Sequence, residues 1–143
     1  MVNPAKCQGC GTCVAECPHN AITQMHFTDE QIASQIRELL RHEPEKRILA
    51  FLCNWCSYAG ADLAGTSRFE YPANVRTVRV MCSGRVDRDF VMTAFMMGAG
   101  MVLVSGCRLT DMGNDCHYVS GNVWAKKRVE SLRRVLEGMG ISG

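Results

Sequence analysis

The sequence lacks the features of a secreted or nucleic-acid-binding protein. Its 16 basic and 14 acidic residues nearly cancel, and the formal charge of +2 excludes the strongly basic character typical of a nucleic-acid binder. No apolar core follows the first residues, so we predict no signal peptide and expect a cytoplasmic location.

Long hydrophobic runs are also missing. The longest uncharged stretch, residues 90–107, is only about as long as the shortest membrane-spanning helix. Glycines within residues 98–100 divide it, and Thr93 and Ser105 interrupt it. We therefore predict a buried helix, a glycine turn and a buried strand, with no membrane as partner.

Cysteine, by contrast, is abundant: the chain has nine. An odd number that includes the pair Cys53-x2-Cys56 does not fit a secreted disulfide framework. Such a set is typical of metal or redox sites in a reducing compartment.

Four cysteines form a compact motif near the N-terminus, Cys7-x2-Cys10-x2-Cys13-x3-Cys17-Pro18. This is the spacing of a bacterial ferredoxin loop, in which closely spaced thiolates wrap a [4Fe-4S] cluster. Zinc sites usually separate two ligand pairs by a longer segment, so the motif argues against zinc. Gly9 and Gly11 permit the tight turns that bring N–H groups near sulfur. We predict a [4Fe-4S] module over residues 1–26.

The role of the fourth cysteine of this motif is open. In two-cluster ferredoxins the fourth cysteine of each run ligates the other cluster, and this chain has one such run. Either Cys17 closes the local cluster, or the local cluster takes its fourth ligand from elsewhere. In the second case Cys17 serves a cluster that the chain does not complete alone.

The remaining sequence alternates short apolar runs with helical patterns. Thr28 and Gln31 form a capping box that begins a helix, and the polar stretch 42–46 marks a boundary after it. Strands are predicted at 48–52, 75–81 and 101–104, and further helices at 87–97 and 121–137. Strands alternating with helices indicate an α/β fold with a small parallel sheet and flanking helices.

These patterns divide the chain into three parts. Residues 1–26 are the ferredoxin-like cluster-binding module, residues 27–46 a connecting helix and linker, and residues 47–143 the α/β domain.

The other five cysteines follow the predicted strands and loops; they are Cys53, Cys56, Cys82, Cys107 and Cys116. Because the carboxyl ends of parallel strands share one edge, where ligands bind, we expect these thiols to converge. Free cysteines are often ordinary buried hydrophobic residues, but five at strand ends favour a metal or redox site. A cluster needs four thiolates, so one of the five is spare, and the sequence leaves open which.

A dithiol enzyme is the alternative for Cys53 and Cys56. A C-x2-C pair after a strand is the setting of a thioredoxin-like dithiol/disulfide oxidoreductase, in which a helix begins within the motif. Gly60 and Gly65 leave at best a short helix here. This interpretation also gives the other three cysteines of the domain no role.

Several segments of the α/β domain have a distinctive order. They are Phe51-Leu52-Cys53-Asn54-Trp55-Cys56-Ser57-Tyr58, Val80-Met81-Cys82-Ser83-Gly84-Arg85-Val86, Ser105-Gly106-Cys107, Asp115-Cys116-His117-Tyr118 and Gly121-Asn122. Over residues 47–140 they resemble the iron–sulfur delta subunit of methyl-viologen-reducing hydrogenase. The N-terminal part, with residues 27–32, resembles the C-terminus of the flavin-bearing subunit of heterodisulfide reductase, where a ferredoxin loop of this type is the second of a pair. The whole resembles a junction at which the two proteins are fused.

The resemblance implies an electron-transfer role. The delta subunit carries a [2Fe-2S] cluster and relays electrons from a hydrogenase or formate dehydrogenase to the flavin-bearing reductase subunit, the site of electron bifurcation in methanogenesis. By resemblance, four of the five cysteines Cys53, Cys56, Cys82, Cys107 and Cys116 hold that cluster, while Cys7, Cys10, Cys13 and Cys17 hold the [4Fe-4S] cluster. The implied partners are a flavoprotein of the heterodisulfide reductase type and subunits of the hydrogenase or formate dehydrogenase. No residue of the chain looks like a catalytic acid, base or nucleophile.

Two features depart from the family pattern. The family usually has histidine and a short Gly-Asp turn after Cys107, where this chain has the loop 108–115. Family domains also continue with a further strand and helix. We therefore expect residues 47–143 to be a shortened form of the domain.

Overall fold

The main element of the structure, a computed structural model that describes residues 2–110 and 113–141, is a three-stranded parallel sheet. Its strands are β1 at Ile48–Cys53, β2 at Val75–Val80 and β3 at Met101–Ser105, in the order β2-β1-β3. The helices are α1 at Thr12–Ala15, α2 at Asp29–Leu39, α3 at Ala59–Thr66, α4 at Arg88–Met96 and α5 at Gly121–Gly138. This confirms the predicted α/β fold with a small parallel sheet and flanking helices.

Helix α2 begins at the predicted capping box. Thr28 Oγ1 accepts a hydrogen bond from the Gln31 N–H at 3.2 Å, and the Thr28 N–H donates to Gln31 Oε1 at 3.0 Å. One turn later, Ile32 and Ile36 are fully buried in the same core as the strands. The segment expected to connect the two modules thus also covers one face of the sheet.

The core lies on that face, beneath α2, α4 and α5. Phe51 of β1 pairs in register with Val78 of β2, and neither side chain is exposed. Helix α4 contributes Phe90, whose ring stacks on Phe51 at 6.4 Å between centroids, and α5 contributes Leu132. Burial of one such side chain stabilises a fold by about 1.5–3 kcal/mol. This packing fixes the sheet whose ends carry the cysteines.

Strand β3 is not the buried strand that the sequence predicts. Val102 and Val104 pack on the core, but Met101 and Leu103 are 55% and 47% exposed. The difference arises because β3 is an edge strand, and alternate side chains of a strand point to opposite faces. The helix and the glycine turn before it are as predicted, and Gly98 takes a φ of 88°.

Short elements connect the sheet to its cysteine-bearing loops. A π-helical turn, Asn54–Tyr58, leads from β1 into α3, the short helix expected there, and a 3-10 turn, Ser83–Arg85, follows β2. After β3, the two-residue strands β4 at Leu109–Thr110 and β5 at Gly113–Asn114 pair antiparallel. Residues 111 and 112 of the predicted loop lie outside the described part of the chain.

A membrane-spanning element does not occur among the helices of residues 2–110 and 113–141, since none is both long and apolar enough.

Candidate metal centres

Cysteines at the ends of the three parallel strands meet at one edge of the sheet. Cys53 is the last residue of β1, and Cys82 and Cys107 follow β2 and β3 by two residues. The sulfur atoms of Cys53, Cys56 and Cys107 all lie within 4.8 Å of one another. The strand-end geometry thus gathers three thiols into a group with the dimensions of a metal site.

Two further cysteines lie against this group. Cys82 lies close enough to Cys53 for the two thiols to shift each other's pKa. Gly121, the first residue of α5, separates Cys82 from Cys116: a methyl group on it would lie 2.2 Å from the sulfur of Cys82 and 3.6 Å from that of Cys116. All five thiols therefore occupy one region, and we call Cys53, Cys56, Cys82, Cys107 and Cys116 the sheet-end site.

The N-terminal cysteines are spread more widely. We call these four, Cys7, Cys10, Cys13 and Cys17, the loop site. Within the residues that the structure describes, no three of their sulfurs lie within 4.8 Å of one another. Cys7 and Cys13 line an open cavity of about 680 Å³. Gly9 and Gly11 shape the loop with φ of 74° and 79°, a conformation that favours glycine.

Comparison with protein families agrees with this division into two sites. Residues 1–23 match the 4Fe-4S binding domain, and residues 48–143 match the family described as "Methyl-viologen-reducing hydrogenase, delta subunit". The chain belongs to the methyl-viologen-reducing hydrogenase delta subunit family. The predicted resemblance is thereby confirmed for both parts of the chain.

Relatives of this chain include two kinds of protein. One subunit of the ferredoxin- and F420H2-dependent CoB-CoM heterodisulfide reductase of Methanosarcina acetivorans is 49% identical over 98% of the chain, which spans 21% of that relative. An iron–sulfur subunit of the F420-non-reducing hydrogenase of Methanococcus voltae is 45% identical over 68% of the chain and 65% of the relative. The corresponding subunit of Archaeoglobus profundus is 44% identical over 71% of the chain and 72% of the relative. The chain thus spans about a fifth of the length of the reductase relative.

Hydrogen bonding within the sheet-end site favours a thiolate at Cys53. The neighbouring Cys82 thiol and, to a smaller extent, the Trp55 backbone N–H lower the pKa of Cys53 to about 5 despite its burial. The same interaction between the two thiols raises the pKa of Cys82. Burial raises the pKa of Cys107 to about 12, although the His117 N–H opposes this. Because metal binding displaces thiol protons, one ready thiolate among neighbouring thiols fits an iron centre.

The loop site also fits an iron–sulfur group. Thiolates on a four-iron cube bind different irons and therefore stand apart, as these do. The cavity at Cys7 and Cys13 provides the space. Neither Cys10 nor Cys17 lines this cavity. The Cys17 sulfur accepts a hydrogen bond from the Ala21 N–H at 3.4 Å, and this bond and one from the His19 N–H lower its pKa.

Three aromatic rings join the cysteine segments of the sheet-end site. The Trp55 ring stacks on His117 with 3.9 Å between centroids, and Trp55 Nε1 donates to the Tyr118 hydroxyl at 2.8 Å. Trp55 lies between Cys53 and Cys56 in sequence, and the other two rings follow Cys116. The rings therefore hold the first and last cysteine segments together.

Sequence reasoning missed two buried arginines beside these sites. Arg85, in the turn after Cys82, has no exposed surface, and Arg128 of α5 is 3% exposed. Arg128 lies three residues after Ala125 and four before Leu132, both buried, so it falls on the apolar stripe of the helix. A charged residue at that spacing was the available signal for Arg128, whereas no pattern marked Arg85.

Proposed function

We propose that the chain is an electron relay with two iron–sulfur centres. The loop site binds a [4Fe-4S] cluster, and four cysteines of the sheet-end site bind a [2Fe-2S] cluster. Electrons pass from a hydrogenase or formate dehydrogenase through the chain to the flavin-bearing subunit of a heterodisulfide reductase-type complex, where bifurcation takes place. The chain conducts electrons and leaves bond chemistry to these partners.

One observation carries the proposal: three thiol sulfurs from two distant segments lie within 4.8 Å of one another, in a chain whose N-terminal part matches a 4Fe-4S binding domain. Thiolate sets of this kind hold iron–sulfur clusters, whose usual function is electron transfer.

Partners are proposed from the relatives. One relative is named as part of a CoB-CoM heterodisulfide reductase and others as hydrogenase iron–sulfur subunits. The reductase relative matches 98% of this chain, which supports the junction of the two proteins within one polypeptide. The same names support a role in methanogenesis, and we propose a cytoplasmic location for the complex.

Two observations support a proposed ligand set for the sheet-end site. Cys53, Cys56 and Cys107 form the close group, and Cys82 is the further cysteine with the largest effect on the pKa of Cys53. We therefore assign these four as the ligands and Cys116, across Gly121 from Cys82, as the spare.

The test is anaerobic purification of the full chain, followed by iron and sulfide analysis and electron paramagnetic resonance of the reduced protein. We expect the iron and sulfide of one four-iron and one two-iron cluster, with two distinct signals. Cys82→Ser should abolish the [2Fe-2S] signal, and the matched variant Cys116→Ser should retain it. A colourless protein that contains zinc would contradict the relay.

A dithiol oxidoreductase is the second candidate, favoured by the low pKa of Cys53 beside Cys56. The sulfur of Cys107 in the same group disfavours it, because a free dithiol needs no third thiol. Reduction of insulin disulfides by metal-free protein, lost in Cys53→Ser, would support this candidate over the relay.

A further inference from the structure

We infer that Arg85 and Arg128 clamp the loop site onto the sheet-end site and that Thr12 forms the bridge between them. These two arginines and Thr12 are positioning residues. The inference rests on the proposed function only for what the two sites bind, since the clamp itself consists of residues of this chain.

Thr12 reaches from the loop site to the sheet-end site. The Cys10 thiol donates to Thr12 Oγ1 at 3.6 Å. Two glycines face this hydroxyl. A methyl group added to Gly84 would lie 2.2 Å from Thr12 Oγ1, and one added to Gly121 would lie 3.5 Å from it. Gly121 in turn lies against the Cys82 sulfur. Contacts therefore run without a gap from a cysteine of the loop site to a cysteine of the sheet-end site.

Arg128 fixes one side of this bridge. Its Nη1 donates to the Val86 carbonyl at 2.8 Å and its Nη2 to the Gly84 carbonyl at 2.5 Å. Its Nε lies 3.0 Å from Glu16 Oε1, on the residue that directly follows α1. One buried guanidinium thus ties α5 and the turn after Cys82 to the N-terminal module.

Arg85 fixes the other side. Its Nε and Nη2 donate to the Phe27 carbonyl at 3.2 and 3.0 Å, and its Nη2 pairs with the Asp29 carboxylate. Its Cδ packs on Gly11, where a methyl group would lie 2.6 Å from it, and its guanidinium lies over the Phe90 ring at 5.1 Å. The side chain therefore crosses from the turn after Cys82 to the loop site.

The two clamps act at Gly11 and Glu16, on either side of Thr12 in sequence. They hold the separation of the two sites constant, so exchange between them needs no docking step. In each event one electron leaves one site, which is oxidised, and enters the other, which is reduced, with no proton moved and no bond broken.

The first test measures the clamp without reference to electron transfer. Glu16→Lys in the purified full chain places a cation against Arg128, and Glu130→Lys makes the same change in an exposed surface pair of α5. We expect amide hydrogen exchange at residues 83–86 to rise about tenfold or more in Glu16→Lys and to stay unchanged in Glu130→Lys. Unchanged exchange in Glu16→Lys would overturn the clamp.

The second test measures the coupling of the two sites. In wild-type protein fully reduced with dithionite, paramagnetic resonance should show spin–spin broadening and fast relaxation that are absent when one cluster alone is reduced. Glu16→Lys should lose this interaction while keeping the iron content and each separate signal, and Glu130→Lys should retain it.

The outcomes separate the two proposals. Wild-type protein that contains both clusters but shows no spin interaction overturns this inference alone. Protein that fails to assemble either cluster overturns the proposed function, and the hydrogen-exchange result then still decides the clamp.

Discussion

Gly121 is as necessary to the sheet-end site as the cysteines beside it. Its Cα approaches the sulfur of Cys82 so closely that any side chain would occupy the position of the thiol. Because protein interiors are close-packed, such an approach leaves no room for adjustment by a buried neighbour.

Gly121→Ala should therefore remove the sheet-end cluster. The added methyl displaces the Cys82 sulfur, so we expect loss of the [2Fe-2S] signal with the [4Fe-4S] signal retained. Gly138→Ala is the matched control, because nothing lies within 4 Å of a methyl group at that end of the same helix. A full [2Fe-2S] signal in Gly121→Ala would show that Cys82 does not ligate there.

The pH dependence of the metal-free protein should reveal the Cys53 thiolate. Its pKa of about 5 lies below the ordinary value of 9.0, so the group is charged at neutral pH and takes up a proton as the pH falls through about 5. Ultraviolet thiolate absorbance should show this step in the wild-type protein. Cys107→Ser should show it too, because the Cys107 thiol has a pKa raised to about 12 and does not titrate near pH 5. Cys53→Ser should lack the step; its persistence there would assign the thiolate elsewhere.

The sequence was sufficient to identify the cysteines of both sites, but not the residues that pack against them. The cysteine spacing of the loop site is a local sequence pattern. The cysteines of the sheet-end site were predicted to converge because they follow the ends of parallel strands. Thr12 requires a glycine at position 84, and the Cys82 sulfur requires one at position 121. Sequence does not reveal either requirement, because the two members of each pair are far apart in the chain. Buried arginines likewise depend on carbonyl and carboxylate partners supplied by the folded chain.

Helix α2 makes a larger contribution than a connector requires. Its apolar side packs against α4 and β2, and its capping box satisfies backbone groups at its start. The helix also carries Asp29, the partner of Arg85. A weakened α2 therefore affects both the core and the junction.

Ile36→Ala should destabilise the protein by about 2–5 kcal/mol, since it leaves a cavity at a fully buried position. The measurement is the midpoint of urea unfolding with an unchanged slope. Ser34→Ala, on an exposed side of the same helix, should leave the midpoint unchanged within error. Equal midpoints for the two variants would mean that α2 does not support the core.

Helix starts were predictable because their signals are local. The capping box of Thr28 and Gln31 starts α2 as predicted, and α4 begins beside Asp87, the first residue of the predicted helix 87–97, whose side chain accepts from the Asp89 N–H. Exposure of β3 was not predictable, because an apolar run does not record whether a strand lies at the edge of its sheet. The β4–β5 pair was also missed, since two-residue strands have too few residues for a pattern.

The whole molecule places its two sites in different environments. Cys7 and Cys13 of the loop site are exposed, whereas Cys53 and Cys82 of the sheet-end site are buried. Access of solvent therefore differs between two sites that are joined through Thr12.

An iron chelator should accordingly remove the loop-site cluster first. Under mild anaerobic treatment we expect the [4Fe-4S] signal to decline before the [2Fe-2S] signal, because exposed thiolates are open to exchange. Paramagnetic resonance at successive times measures the order. Simultaneous loss would indicate that the clusters share access or that the junction opens as a unit.

The stacking of Trp55 on His117 has a practical consequence. Trp55 lies between Cys53 and Cys56 in sequence, so an iron–sulfur cluster bound by these cysteines would quench the emission of its indole. Cluster binding at the sheet-end site should quench the fluorescence of Trp55, and cluster removal should restore it. Trp55 fluorescence would therefore report whether the sheet-end site holds a cluster.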